Sequence, residues 1–101
     1  MAGTPHIQYD HQALEDLCRR WKVKRLAFFG SVLRDDFGPE SDVDVLYEFM
    51  PEASIGWDIV TFEDELSELF GGRKIDLVPF KYISKYIRKR VLNEAQIQYA
   101  A

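Results

Sequence analysis

Residues 41–49 read Ser41-Asp42-Val43-Asp44-Val45-Leu46-Tyr47-Glu48-Phe49, and their alternation decides the fold. On an extended chain Val43, Val45 and Tyr47 leave one face while Asp42, Asp44 and Leu46 leave the other. The valines can anchor a strand in a core, so the two aspartates must emerge together on the opposite side. Upstream, Arg25-Leu26-Ala27-Phe28-Phe29 is a short apolar run stopped by Gly30, which suits a buried strand. Between the two strands, Ser31 to Asp36 is long enough for a short helical turn. Phe37-Gly38-Pro39-Glu40 then supplies turn chemistry.

The flanks add helices. From Asp10, a suitable N-cap, Leu14, Leu17, Cys18 and Trp21 recur at helical spacing. After a loop over 50–56, the run from Trp57 to Phe70 places Ile59, Phe62, Leu66, Leu69 and Phe70 on one stripe. Gly71-Gly72 ends it. Lys74-Ile75-Asp76-Leu77-Val78-Pro79 reads as a third strand, with Ile75 and Leu77 opposed to Asp76. A last helix is expected over 80–94 and a terminal strand over 97–99. Strands separated by helices predict a small α/β (α+β) layer fold, a mixed β-sheet packed with helices. With 101 residues this is one domain, 1–101, with residues 1–8 as a loose arm.

Composition narrows the function. The chain is 47% hydrophobic and 30% charged, as a folded, soluble protein would be, and its formal charge of −4 argues against direct nucleic-acid binding. One cysteine, Cys18, excludes an internal disulfide, and among Leu14, Leu17 and Trp21 it reads as a buried thiol. No apolar run approaches the ~20 residues that span a bilayer. The first residues lack the regions of a signal peptide, so a cytoplasmic location is expected.

Three aspartates carry the chemical signal. Carboxylates two apart on a strand repel unless a cation lies between them, and hard oxygen donors select Mg²⁺ or Mn²⁺. Asp76 completes the set if its strand is adjacent. A pair of such ions stabilises attacking and leaving oxygens in phosphoryl transfer. Phe28-Phe29-Gly30-Ser31 would expose backbone N–H groups and a hydroxyl to an anion, and Arg34 could face the same anion. Each feature alone has a plainer reading: Asp42 could cap a turn, Ser31 a helix, and Asp76 could pair with Arg73 or Lys74. Their occurrence together favours a metal site.

Gly30-Ser31-Val32-Leu33-Arg34 through Ser41-Asp42-Val43-Asp44-Val45 resembles the signature of the polymerase-β-type nucleotidyltransferase superfamily, in its minimal single-domain branch. The likeness runs from the first helix through Lys74-Ile75-Asp76-Leu77-Val78. It implies a polymerase-β-like fold, with Asp42 and Asp44 binding two Mg²⁺ ions that carry ATP. Asp76 would help hold the metal beside the acceptor hydroxyl and assist its deprotonation, and Gly30 and Ser31 would cradle the β and γ phosphates. Arg34 and Ser41 lie within the nucleotide-binding signature. One departure stands out: many minimal members have Ala-Arg-Gly where this chain has Leu33-Arg34-Asp35. Asp35 lacks glycine's backbone range, which bears on rate and nucleotide pose more than on the metal site.

The minimal branch resembles the antitoxin half of two-gene toxin–antitoxin systems whose toxin is a HEPN-type ribonuclease. The resemblance implies transfer of AMP from ATP to a tyrosine of that toxin, release of pyrophosphate, and a hetero-oligomer with the toxin. Two alternatives remain at this point: an idle antitoxin that acts by binding alone, and a nucleotidyltransferase for a small-molecule acceptor. In the last helix Ile83, Ile87 and Val91 form an apolar stripe, flanked by Tyr82 and Tyr86. Lys81, Lys85 and Arg88 would be a solvated basic face or an attraction for triphosphate or an acidic partner.

Overall fold

The computed structural model describes residues 7–34, 37–38, 40–53, 56–83 and 85–101, with side chains for all of these except Ser31 and residues 85–87. The expected arm over 1–8 lies largely outside them, as does Asp35.

The first helix, α1 (His11–Arg20), starts where Asp10 accepts hydrogen bonds from the backbone N–H groups of Gln12 (3.0 Å) and Ala13 (3.2 Å). Its apolar stripe buries Leu14, Leu17 and Cys18. Strand β1 (Val23–Phe29) runs antiparallel to β2 (Val43–Phe49). Helix α2 (Ile59–Leu69) supplies the crossover that β3 (Ile75–Pro79) needs to lie parallel to β2. Helix α3 (Lys85–Glu94) leads into β4 (Gln96–Ala100), antiparallel to β1. The sheet order is β3-β2-β1-β4.

The alternation that defines β2 sorts the whole sheet into two faces. One face presents Leu26, Phe28, Val43, Val45 and Ile75 to α1 and α2, where Leu14, Cys18, Phe62 and Leu66 close the main core. Aromatic rings interlock there: Phe62 meets Trp21 at 5.6 Å and Phe49 at 5.2 Å between centroids, both edge-on. The indole N–H of Trp21 donates to Glu65 at 2.7 Å, and that bond, helped by Arg20, holds the Glu65 carboxyl below its ordinary range. The opposite face carries a smaller core of Ala27, Leu46, Phe80 and Ile83, against which Val78, Val91 and Ala95 pack. Burial pushes the Cys18 thiol up to about 12 and the Tyr9 phenol, assisted by Cys18, to about 12.

Three expected boundaries change. The last helix does not run unbroken from Phe80. A 3₁₀ turn over Phe80–Tyr82 ends at Ile83, whose extended backbone (φ −67°, ψ 129°) separates it from α3. Both Phe80 and Ile83 are thereby buried in the second core, while Tyr82 stays 73% exposed. Trp57 lies in a 3₁₀ turn and is 93% exposed, so α2 starts two residues later than expected, at Ile59. The terminal strand is longer than expected and begins at Gln96. Gly71 and Gly72 end α2 as expected, with φ of +81° and +83° and the Gly72 N–H donating to the Ser67 carbonyl at 2.7 Å.

Candidate active site

Strand register gathers the acidic residues at one end of the sheet. Asp44 pairs across β2 and β1 with Phe29, the last residue before Gly30, and across β2 and β3 with Asp76. Gly30, Asp44 and Asp76 therefore stand in a row over three strands, about 5 Å from strand to strand. Asp42 immediately precedes β2 and is exposed, whereas Asp44 is partly buried. Both, with Asp76, project on the side of the second core: Leu46 follows Asp44 by two residues and Val78 follows Asp76 by two. The condition set by the sequence, an adjacent strand for Asp76, is met.

Gly30 shows why this position excludes a side chain. Its backbone is left-handed (φ +71°), and a 3₁₀ turn, Gly30–Leu33, begins there. A Cβ at Gly30 would collide with the Asp44 carboxylate, whose Cγ would lie only 3.2 Å away. The carboxylate thus occupies the space that a missing side chain leaves, directly beside the backbone of the turn.

The turn before Asp42 is tightly organised. The Ser41 hydroxyl accepts the Gly38 N–H at 3.0 Å, and the Ser41 N–H donates to the Gly38 carbonyl at 3.1 Å. Ser41 therefore has a task in closing the turn that the sequence did not reveal. Arg73, with Lys74, is a possible partner for Asp76 on the plainer reading of that residue. Its guanidinium instead donates to the Gly38 carbonyl at 2.8 Å and lies 4.4 Å from the Phe37 ring centroid. Arg34 is exposed just past the 3₁₀ turn, and its carbonyl accepts the Phe37 N–H at 3.2 Å. Ser31 contributes backbone to the turn.

As a donor set, three carboxylates on one face suit a hard divalent cation, and the room that Gly30 leaves for Asp44 fits that use. Among the described residues the three are not drawn into a single ready-made cluster. A groove of about 530 Å³ lies elsewhere, at the far ends of β2 and β3. Aromatic and apolar groups such as Tyr47, Phe49, Phe80 and Tyr82 dominate its lining, and burial, followed by the nearby Tyr82, pushes the Tyr47 phenol above its ordinary range. Among the described residues no helix is long and apolar enough to cross a membrane.

Comparison with known proteins agrees with this geometry. The chain is 34% identical over 80 residues to the protein adenylyltransferase MntA of Thermococcus cleftensis, covering 79% of each. A Methanocaldococcus jannaschii protein described as a protein adenylyltransferase is 37% identical over 73 residues, covering 72% of this chain and 76% of its own. A solved structure described as a minimal nucleotidyltransferase superposes with a TM-score of 0.70 at 30% identity, covering 85% of this chain and 86% of that one. A toxin–antitoxin structure with AMP-PNP shares the fold, with a TM-score of 0.69 at 16% identity over 91% of this chain and 74% of that one. The nucleotidyltransferase domain family matches residues 11–98; with the carboxylate row and the glycine turn inside that span, this chain belongs to the nucleotidyltransferase domain family.

Proposed function

We propose that this chain transfers AMP from ATP to a tyrosine hydroxyl of a HEPN-type toxin and so neutralises it. The observation that carries the reading is the row Gly30, Asp44, Asp76, in which two carboxylates and a glycine that opens a turn stand side by side. Support for a protein acceptor comes from relatives named as protein adenylyltransferases, and support for a toxin partner from neighbours solved as MntA–HepT toxin–antitoxin complexes.

In the proposed reaction the tyrosine oxygen bonds to the α-phosphorus, the bond from that phosphorus to the bridging oxygen breaks, and pyrophosphate leaves. Asp42 and Asp44, with Asp76 beside them, are the residues that would hold Mg²⁺, as two ions with the triphosphate. When bound, Mg²⁺ neutralises charge that develops on the phosphate oxygens. Asp76, on the neighbouring strand, orients the acceptor hydroxyl and takes up its proton. The N–H groups of the Gly30–Ser31 turn, with Arg34 beyond it, face the phosphates. Ser41 serves the nucleotide by shaping the turn that leads to Asp42.

The test incubates the chain with ATP, Mg²⁺ and the toxin encoded beside it. The expected result is a toxin heavier by one AMP on a tyrosine, lost when Asp42 and Asp44 are both changed to Asn. An unmodified toxin that is nevertheless silenced by complex formation would replace this reading with inhibition by binding alone. AMP recovered on a small molecule would replace the acceptor.

A further inference from the structure

We infer that Arg73 is a positioning residue: it sets where the Asp42 carboxylate stands relative to Asp76. The inference deepens the function proposed above and rests on its carboxylate site.

Asp42 is exposed and lies one residue outside β2. Such a residue would ordinarily sample many geometries, at an entropic cost to any ligand that needs one of them. Here the peptide groups on both of its sides are fastened to consecutive residues of one segment. On the N-terminal side, the Ser41 carbonyl lies 3.4 Å from Arg73 Nη1, the same nitrogen that donates to Gly38 at 2.8 Å. On the C-terminal side, the Val43 N–H donates to the Lys74 carbonyl at 2.9 Å. Asp76 follows Lys74 by two residues, opposite Asp44.

Arg73 is itself anchored. Its carbonyl accepts the Ser67 hydroxyl at 2.5 Å from the last turn of α2. Its guanidinium plane lies against Phe37, 4.4 Å from the ring centroid. Its guanidinium reaches both carbonyls through one nitrogen while its carbon lies over a ring; an ammonium has no flat face to set against that ring. The clamp thus joins the turn that carries Asp42 to the strand that carries Asp76.

The test measures Mn²⁺, as a probe for Mg²⁺, binding to the nucleotide-free protein, for the wild type, Arg73→Ala and Arg73→Lys. Loss of a group that orients a ligand set weakens metal binding about 10- to 100-fold, and that is the expected effect of Arg73→Ala, with Arg73→Lys between it and the wild type. In the transfer assay the half-saturating Mg²⁺ concentration should rise while kcat at saturating Mg²⁺ largely recovers. A variant that merely unfolded would lose kcat at every Mg²⁺ concentration, and Arg73→Lys, which keeps charge and stem, covers the case in which Arg73→Ala does not fold. Wild-type affinity in both variants overturns the inference and leaves the site intact. Absence of Mn²⁺ binding by the wild type overturns the carboxylate site itself.

Discussion

Replacing Gly30 with Ala tests the central contact of the site, and Gly72→Ala provides its control. Both glycines are left-handed, at φ +71° and +83°, so an alanine at either meets a similar backbone penalty, roughly 1–2 kcal/mol. At Gly72 the added Cβ meets nothing within 4 Å. At Gly30 it meets the Asp44 carboxylate, with Cγ at 3.2 Å, so the side chain must leave its rotamer or β2 must shift. Leaving the rotamer adds about 0.5–1.5 kcal/mol. For a chain of this size each kcal/mol lowers Tm by about 4–8 °C.

The two variants should therefore differ modestly in thermal unfolding and greatly in function. A displacement of about 1 Å at a reacting centre costs on the order of 100-fold in rate. Gly30→Ala is expected to lose that much adenylyl transfer and to bind Mn²⁺ more weakly, with rates corrected for folded fraction at a temperature well below either Tm. Gly72→Ala should transfer at the wild-type rate. Equal rates for the two variants would refute the argument that the Asp44 carboxylate needs the space beside Gly30.

Two further outcomes concern the core. Cys18 is fully buried and its thiol is held at about 12, so the unfolded chain releases its proton first as pH rises. The stability that depends on the protonated thiol is fully present below the unfolded pKa of about 8.5 and declines toward 12, at up to about 1.4 kcal/mol per pH unit. Urea midpoints at rising alkaline pH should fall more steeply for the wild type than for Cys18→Ala, and parallel slopes would remove this explanation. Phe62 is fully buried between Trp21 and Phe49, so Phe62→Ala should cost about 3–5 kcal/mol in urea denaturation; a loss below 1 kcal/mol would mean that the ring is not the keystone between α2 and the sheet.

Local pattern made most of the fold legible. Asp10, with the stripe through Leu14 and Cys18, marks α1; the alternation of Val43 and Val45 with Asp42 and Asp44 marks β2; Gly71-Gly72 marks the end of α2. What stayed hidden depended on long-range contacts. Whether Asp76 joins Asp44 is decided by strand order, which α2 enforces by returning the chain for a parallel pairing. The break at Ile83 arises because Phe80 and Ile83 both enter the second core, a demand invisible in the sequence around them. Trp57 opens the run that reads as a helix, yet it lies in a turn ahead of α2 and faces solvent. Arg73 offers no local sign of its role, because its two acceptors are backbone carbonyls more than thirty positions earlier.

The same contacts that hold the sheet together also aim the carboxylates. A slip of one residue in β2 would turn Val43 and Val45 out of the main core and bury Asp42 and Asp44 in it, so core burial alone selects the face on which the aspartates stand. Position along that face is a separate matter. It is set by the Val43–Lys74 bond, the Arg73 clamp and the fit of Asp44 beside Gly30. These two controls should separate under mutation. Core truncation such as Phe62→Ala lowers the folded fraction while leaving the metal affinity of each folded molecule unchanged. Gly30 and Arg73 substitutions change that affinity in molecules that remain folded. The division follows from where each contact lies: Phe62 packs on the helical face of the sheet, whereas Gly30 and Arg73 touch the end of it that carries Asp42, Asp44 and Asp76.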